Sequence, residues 1–413
     1  MAFRGWTVDE RRREFVRLAL LPGAEVSALA RRFEVSRSNA YKWIGRFKAE
    51  GRSGLAERSR RPHVSPKRSP DALEAAVLKL RAESNNAWGG RKIAHVLKRG
   101  DPALAAPSAS TVTEILRRHG KLEERAHEHP GPFRRFEHEA PNDLWQMDFK
   151  GHFAIKTGRC HPLTVLDDHS RYSLCLQACG EETTATVAGH LTSAFRRHGM
   201  PHRILCDNGA PWGSSRVGAY TALALWIIRL GIGIGHCKVC HPQTQGKEER
   251  FHRSLKAEAL AGHVFDSLAH CQAAFDAWRD RYNHERPHQA IGMAVPSSRY
   301  RPSPRRFPET LPAIDYGETA IVRVVNAAGC VAFQHRSLCI GRAFVDEPVC
   351  LRTLADGRYA LYYCAHHLGD IDLALVPKGQ SSPLTKPTAA DAYPRNPHNP
   401  QASCPQEQKE KEG

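Results

Sequence analysis

The feature that most constrains this chain starts at "PNDLWQMDFKG", from Pro141, where helical texture gives way to short β-rich runs. "DLWQMDFKG", "CHPLTVLDD" and "RYSLCLQAC" read as three neighbouring strands, because β-branched and aromatic residues fill short segments bounded by turn formers. Helix and strand then alternate: "TTATVAGHLTSAFRRHG" as helix, "HRILCDNG" as strand, "AYTALALWIIRLG" as helix and "IGIGH" as strand. Two more helices are expected, one over "HPQTQGKEERFHRSLK" and one at about 267–283. Strands alternating with helices in this way are expected to form a layered α/β domain over residues 141–300.

The N-terminal third has a different periodicity. Residues 8–20 read as a helix, and "EVSALARRFEVSRSNAYKWIGRFKAEG" supplies two more, with Ala28, Leu29 and Phe33 at helical spacing and Ser36 as an N-cap. This is a helix-turn-helix pattern over 1–56. Its second helix carries Arg37, Asn39, Lys42 and Arg46, with Tyr41, Trp43 and Phe47 interleaved, so one face can pack while the other enters a major groove. A Pro- and Arg-rich linker at 57–70, including Arg60 and Arg61, can track phosphates while extended. A second helix-turn-helix-like unit follows at 71–125: a helix at 71–83, "WGGRKIAHVLKR", and a third helix capped by Ser108. Two such modules in tandem imply a long DNA site.

Charge supports that reading. Lys and Arg number 60 against 43 Asp and Glu, a net +17, and residues 1–139 alone hold 29 basic and 17 acidic side chains. A field of this kind attracts polyanions, and nucleic acid is favoured over a membrane surface because no lipidation motif accompanies it. The N-terminus lacks the apolar core of a secretory signal, and the most apolar run, "TALALWII", is too short to span a bilayer. A cytoplasmic, nucleoid-associated protein is expected. Twelve scattered cysteines fit reduced, mostly buried thiols, and the C-x-x-C of Cys237 and Cys240 lacks the second ligand pair of a zinc site. Past residue 311 the chain reads all-β to about 378, punctuated by Gly329, Gly341, Gly357 and Gly369, for which a small barrel is expected. The tail at 379–413 has too little apolar content to fold.

Two acids stand out by placement. Asp148 lies in the first strand of the α/β region, and Asp207 ends the fourth, before an Asn208-Gly209 turn. With Glu249 of the helix that follows they give D-x58-D-x41-E. Three carboxylates of this kind are what phosphodiester chemistry needs, since two Mg²⁺ ions about 3.5–4 Å apart require hard oxygen ligands that leave positions open for water and phosphate. Each acid alone has a bland reading as strand-end hydrogen-bonder, turn former or surface ion-pair partner. Their joint order, in a basic chain with DNA-binding modules, favours the chemistry.

"WQMDFKG", "VLDDHSRY", "CDNGAPW", "HPQTQGKEERFHRSLKAE" and "YNHERPHQA" together resemble the successive signatures of insertion-sequence transposases with an integrase-type DDE core, particularly the IS481 branch. The resemblance covers about residues 1–300. It implies a ribonuclease-H-like catalytic domain with a mixed sheet, behind helix-turn-helix domains that bind an element's terminal inverted repeats. It puts the catalytic, metal-holding acids on Asp148, Asp207 and Glu249, with two Mg²⁺ ions that Mn²⁺ can replace. The spacing of 41 residues before Glu249 exceeds the 35 familiar from many integrase-type relatives. Asp167 and Asp168 resemble a strand-end motif outside the trio, with a structural role expected.

Helical periodicity separates the two adjacent glutamates. Gln245, Glu249, His252 or Arg253, and Lys256 share one stripe, while Glu248 falls on the side of Phe251 and Leu255, from where it is expected to reach solvent or a nearby base. Lys247, Gln245, Arg253 and Lys256 are taken as DNA contacts. The expected protein is therefore a DNA transposase acting on double-stranded DNA as a homo-oligomer, with a DNA-binding regulator derived from a transposase as the alternative, and a nuclease that does not join strands as a third.

Overall fold

The computed structural model describes residues 6–58, 68–100, 106–122, 137–213, 220–236, 246–355, 357–376, 378–379 and 381–383. The chain divides into two compact units, residues 1–70 and 71–413. In the first, α1 (Val8–Ala19), α2 (Val26–Arg32) and α3 (Arg37–Glu50) close over Phe15, Val16, Ala30, Phe33, Ala40, Ile44 and Leu55. Thr7 and Glu10 form a reciprocal capping box on α1, and the Ser36 hydroxyl accepts from the Asn39 N–H at 3.2 Å, a cap of the sort that contributes about 1 kcal/mol. Ala40 and Ile44 are the fully buried positions of α3, with Trp43 and Phe47 half-buried against them. Tyr41 is not part of the packed face; it is exposed.

The second unit opens with α4 (Asp71–Glu83), α5 (Gly90–Gly100) and α6 (Ala109–Arg118), packed around Val77, Trp88, Ile93, Val112, Ile115 and Leu116. Ser108 caps α6 as its position suggested. Gly90 is required where α5 meets α6, since a Cβ there would sit 2.3 Å from the Ala109 carbonyl oxygen.

The α/β layer contains β1 (Leu144–Phe149), β2 (Phe153–Ile155), β3 (Gly158–Asp167), β4 (Ser173–Cys179), α7 (Thr184–His198), β5 (Arg203–Cys206), α8 (Ala222–Arg229), β6 (Gly233–His236), α9 (Gly246–Leu255) and α10 (Leu268–His284). Strands β1 and β4 flank β3 antiparallel; β5 joins β1 in parallel and β6 joins β5 in parallel. The sheet is therefore mixed, as expected, with β2 as an additional short hairpin arm on β3. Trp145, Met147, Leu163 and Val165 face one hydrophobic cluster with α7 and α8, whereas Leu166 and Leu176 face another with Phe251, Leu255, Phe275 and Trp278 of α9 and α10. The sheet is covered on both faces, which is why its strands read as nearly continuous apolar runs.

The C-terminal region holds β7 (Ile321–Val324), β8 (Cys330–Phe333), β9 (Arg336–Cys339), β10 (Pro348–Ala355), β11 (Arg358–Tyr363), β12 (His366–Asp372) and β13 (Ser381–Pro383). The expected single barrel is corrected to two small sheets, ordered β12-β11-β10-β7 and β13-β9-β8. Register shifts between Thr353 and Ala355 and between Leu361 and Tyr362 bend the larger one. The β8–β9 hairpin turns on Gln334 and His335, both at positive φ, the geometry of a tight two-residue loop.

Candidate active site on one face of the sheet

Strand register brings the two aspartates together. β1 and β5 run parallel with Leu144 opposite Arg203 and Gln146 opposite Leu205; continuing that register by two residues sets Asp148 level with Asp207. Neighbouring strands lie about 4.8 Å apart, and level residues share a face. On the other side of β1 the partner of Asp148 is Thr164 of β3. Asp148, Thr164 and Asp207 thus stand in a row on the face that α9 covers.

Asp207 is held where β5 ends. Its Oδ1 accepts from the Gly209 N–H at 2.9 Å and from the Trp212 indole N–H, so the Asn208-Gly209 turn curls back over the carboxylate. A Cβ on Gly209 would lie 3.2 Å from both carboxylate oxygens. Asp148 has a half-buried side chain, 21% exposed. Burial first, and then the charge of Asp207, push its pKa up to about 7. Two hard carboxylates facing each other across one strand gap, at an energetic disadvantage when both are charged, are a donor set that suits a divalent cation.

Helix α9 lies above this row. Glu248, Phe251 and Leu255 are its buried residues, which is the face the periodicity assigned to Glu248. Its expected reach to solvent or a base is corrected: Glu248 is 1% exposed. Its Oε2 accepts from the Thr164 hydroxyl at 3.1 Å, and the same hydroxyl lies 2.9 Å from His252 Nε2 and 2.9 Å from the Asp148 carbonyl oxygen. His252 Nδ1 stands 3.9 Å from Asp148 Oδ2. Burial, then the nearby Asp148, raise the Glu248 carboxyl well above the ordinary range, and burial, then Lys150, lower His252 to about 4. Glu249 is exposed on the open side of the helix, three residues before His252. It is Glu248, not Glu249, that meets Asp148 through shared partners, and among the described residues no three His, Cys, Asp or Glu side chains are gathered at ion-holding distance.

Of the expected DNA contacts, Arg37, Asn39 and Lys42 are exposed along α3 and Arg46 is half-buried. Arg253 and Lys256 are exposed on α9. Arg60, Arg61 and Gln245 lie outside the described residues, as do Cys237 and Cys240. Lys247 is corrected: its ammonium is paired with the fully buried Asp168, and burial then lowers its pKa against the pull of that carboxylate. Asp168 also accepts from Gln146 at 2.7 Å and the His138 N–H at 2.9 Å, while Asp167 accepts from the N–H groups of Asn142 and Ser170, both at 2.7 Å. These two acids brace the strand end, as expected.

Sequence reasoning missed Thr164, Trp212 and Lys150. Lys150 follows Asp148 by two, so strand alternation could have put it on the same face. It is half-buried near His252 and Lys256, whose charge helps to depress its pKa after burial. Thr164 shows no local signal; only the β1–β3 register reveals it.

Several known families match this chain. The Integrase core domain family matches residues 138–242 and a second Integrase core domain description matches 230–296. A helix-turn-helix domain matches 11–63, a homeodomain-like domain 39–116, and the IS481 family transposase C-terminal domain 320–376. The chain thus carries an integrase core domain between matches to helix-turn-helix domains and a match to the IS481 family transposase C-terminal domain. A protein of insertion element IS407 from Burkholderia multivorans is 32% identical over 38% of this chain and 55% of its own length. One of insertion element IS476 from Xanthomonas euvesicatoria is 27% identical over 59% of this chain and 69% of its own. The chain therefore spans little more than half of the first relative. Among solved structures, a simian T-cell lymphotropic virus intasome chain is 17% identical over 73% of this chain and 97% of that one, at a TM-score of 0.34. An HTLV-2 integrase catalytic core with magnesium is 16% identical over 40% and 99%, at 0.31. Among the described residues no helix is long and apolar enough to cross a membrane.

Proposed function

We propose that this protein is a DNA transposase that binds the ends of its element, cuts them with activated water and joins the freed 3′-hydroxyl to target DNA. The observation that carries the reading is the β1–β5 register, which continued by two residues sets Asp148 level with Asp207 just past β5, with burial and then the charge of Asp207 raising the Asp148 pKa. Glu249 is the third acid in this reading. A metal ligand must be open to an entering phosphate; Glu249 is exposed, whereas Glu248 is sealed against Thr164 and biased to its neutral form.

Asp148, Asp207 and Glu249 would hold two Mg²⁺ ions, or Mn²⁺ in their place. When bound, such ions activate the attacking oxygen and neutralise charge on the leaving one. The chain's own side chains do the rest. Gly209 and Trp212 orient Asp207, and Thr164 holds His252 beside Asp148. Lys150, Arg253 and Lys256 receive the phosphate backbone alongside, and Arg37, Asn39, Lys42 and Arg46 engage the element end. Because two ends meet one target, the working form is a homo-oligomer on DNA.

The test is incubation of the protein and Mg²⁺ with DNA carrying the repeats that flank its gene. Nicking at the repeat ends and strand joining are expected. DNA that is bound but never nicked, in Mg²⁺ and in Mn²⁺, would favour a regulator; nicking without joining would favour a nuclease.

A further inference from the structure

The end of α9 is capped by a residue from a different module. Beyond Leu255 the helix continues as one π-helical turn, Lys256–Leu260, closed by the Ala261 N–H donating to the Lys256 carbonyl at 2.8 Å. The last carbonyls of a helix lack intrahelical donors. Here the Asn85 side-chain amide, just past α4, donates to the Ala257 carbonyl at 3.0 Å and the Ala261 carbonyl at 2.8 Å. Asn85 and Asn86 both have positive φ, 51° and 57°, a conformation that asparagine tolerates better than most residues and that aims the amide at α9.

Three further ties surround this cap. Arg281 of α10 donates to the Glu83 carbonyl and lays its guanidinium 4.8 Å from the centre of the Trp88 ring. Lys92 of α5 stands 3.9 Å from Glu258 of the π turn. Glu258 itself is buried and accepts from Arg286 at 2.9 Å and Trp278 at 3.2 Å. The same helix carries His252 to 3.9 Å from Asp148, so what fixes its far end also fixes that group.

We propose that the second helical module is a fixed part of the catalytic body, and that Asn85, Trp88 and Lys92 are positioning residues that set α9 over the aspartates. A module read from sequence as a separate DNA-binding unit thereby becomes a lever on the active site: DNA that it holds is held in register with the cleft. The second half of this statement rests on the transposase reading above; the docking does not.

Substitutions at Asn85 in the full chain separate the two. Asn85→Gly keeps the left-handed backbone and removes only the amide, while Asn85→Asp turns an acceptor toward two carbonyls. Hydrogen exchange of backbone amides 256–262 is expected to quicken by at least about tenfold in Asn85→Gly, which loses both hydrogen bonds, and more in Asn85→Asp. On saturating end DNA, strand cleavage should slow in the same order while the Kd for ends stays within about twofold of wild type. Unchanged exchange at 256–262 overturns the docking. Quickened exchange with unchanged cleavage overturns the transmission to the site, and so does an equal fall in binding and cleavage, which a purely global loss of structure would give. A wild-type protein that never cleaves defeats the transposase reading and the lever with it, while the exchange measurement still decides the docking.

Discussion

Helices α3 and α9 are both rich in basic side chains and both read from sequence as DNA-facing, yet they use their charge in opposite ways. On α3, Arg37, Asn39 and Lys42 are exposed while Ala40 and Ile44 anchor the packed side. On α9, two consecutive charged residues turn inward: Lys247 to the buried Asp168 and Glu248 to Thr164. Glu249, Arg250 and Arg253 are left open on the same helix, with Lys256 open just beyond it. A helix that only reads DNA needs one apolar anchor face; a helix that must hold a carboxylate at a fixed height over a sheet spends polar side chains on its own placement.

The sharpest way to break this contrast is at the paired glutamates. Glu249→Gln should abolish Mg²⁺-dependent end cleavage, a loss of at least about 10³-fold for a missing ligand charge. Glu248→Gln, whose amide can still meet Thr164, should retain most of it. The reverse ranking, measured on intact and pre-nicked ends, would make the buried acid the third ligand and leave α9 without the outward role given to it here.

Next in size is Lys247→Met. Removing one partner of a buried ion pair costs about 3–5 kcal/mol, reduced here because the Lys247 side chain keeps 18% exposure. Lower stability in denaturant is expected, with an unchanged salt slope of end binding; a flattened slope with full stability would return Lys247 to the DNA. Lys42→Ala on α3 should do the opposite, leaving stability intact and flattening the slope by about one unit.

A smaller effect concerns pH. The Asp148 carboxyl is raised from its ordinary value to about 7, so the folded state holds that proton more tightly than the unfolded one. Its contribution to stability is full below the unfolded pKa, near 4, and is lost as pH rises through 7. Without divalent ions, Asp148→Asn should therefore gain Tm over wild type between pH 4 and 7, with the gap level above. A gap that closes toward pH 7 would mean that Asp148 is not strained by its neighbours.

What the sequence made legible follows the range of the physics involved. The caps at Ser36 and Ser108, the strand over "WQMDF" and the turn after Asp207 are local, and each is found where local rules place it. Helical periodicity correctly grouped Glu248 with Phe251 and Leu255. It could not show that the surface beneath them offers a threonine hydroxyl, because Thr164 meets Asp148 only through pairing between strands. Lys247 was misread for the same reason: its partner lies 79 residues away. The attachment of the second module to the core did not show in the sequence either, since Asn85 finds its carbonyls on a helix more than 170 residues later.

The most direct measurement is end cleavage by Asp148→Asn and Asp207→Asn beside wild type, at matched occupancy of element-end DNA in Mg²⁺. An amide keeps the shape of each side chain and removes the charge, so both variants should bind ends as wild type does and cut none of them. Cleavage near the wild-type rate by either variant would contradict the assignment of the chemistry to this pair of strands.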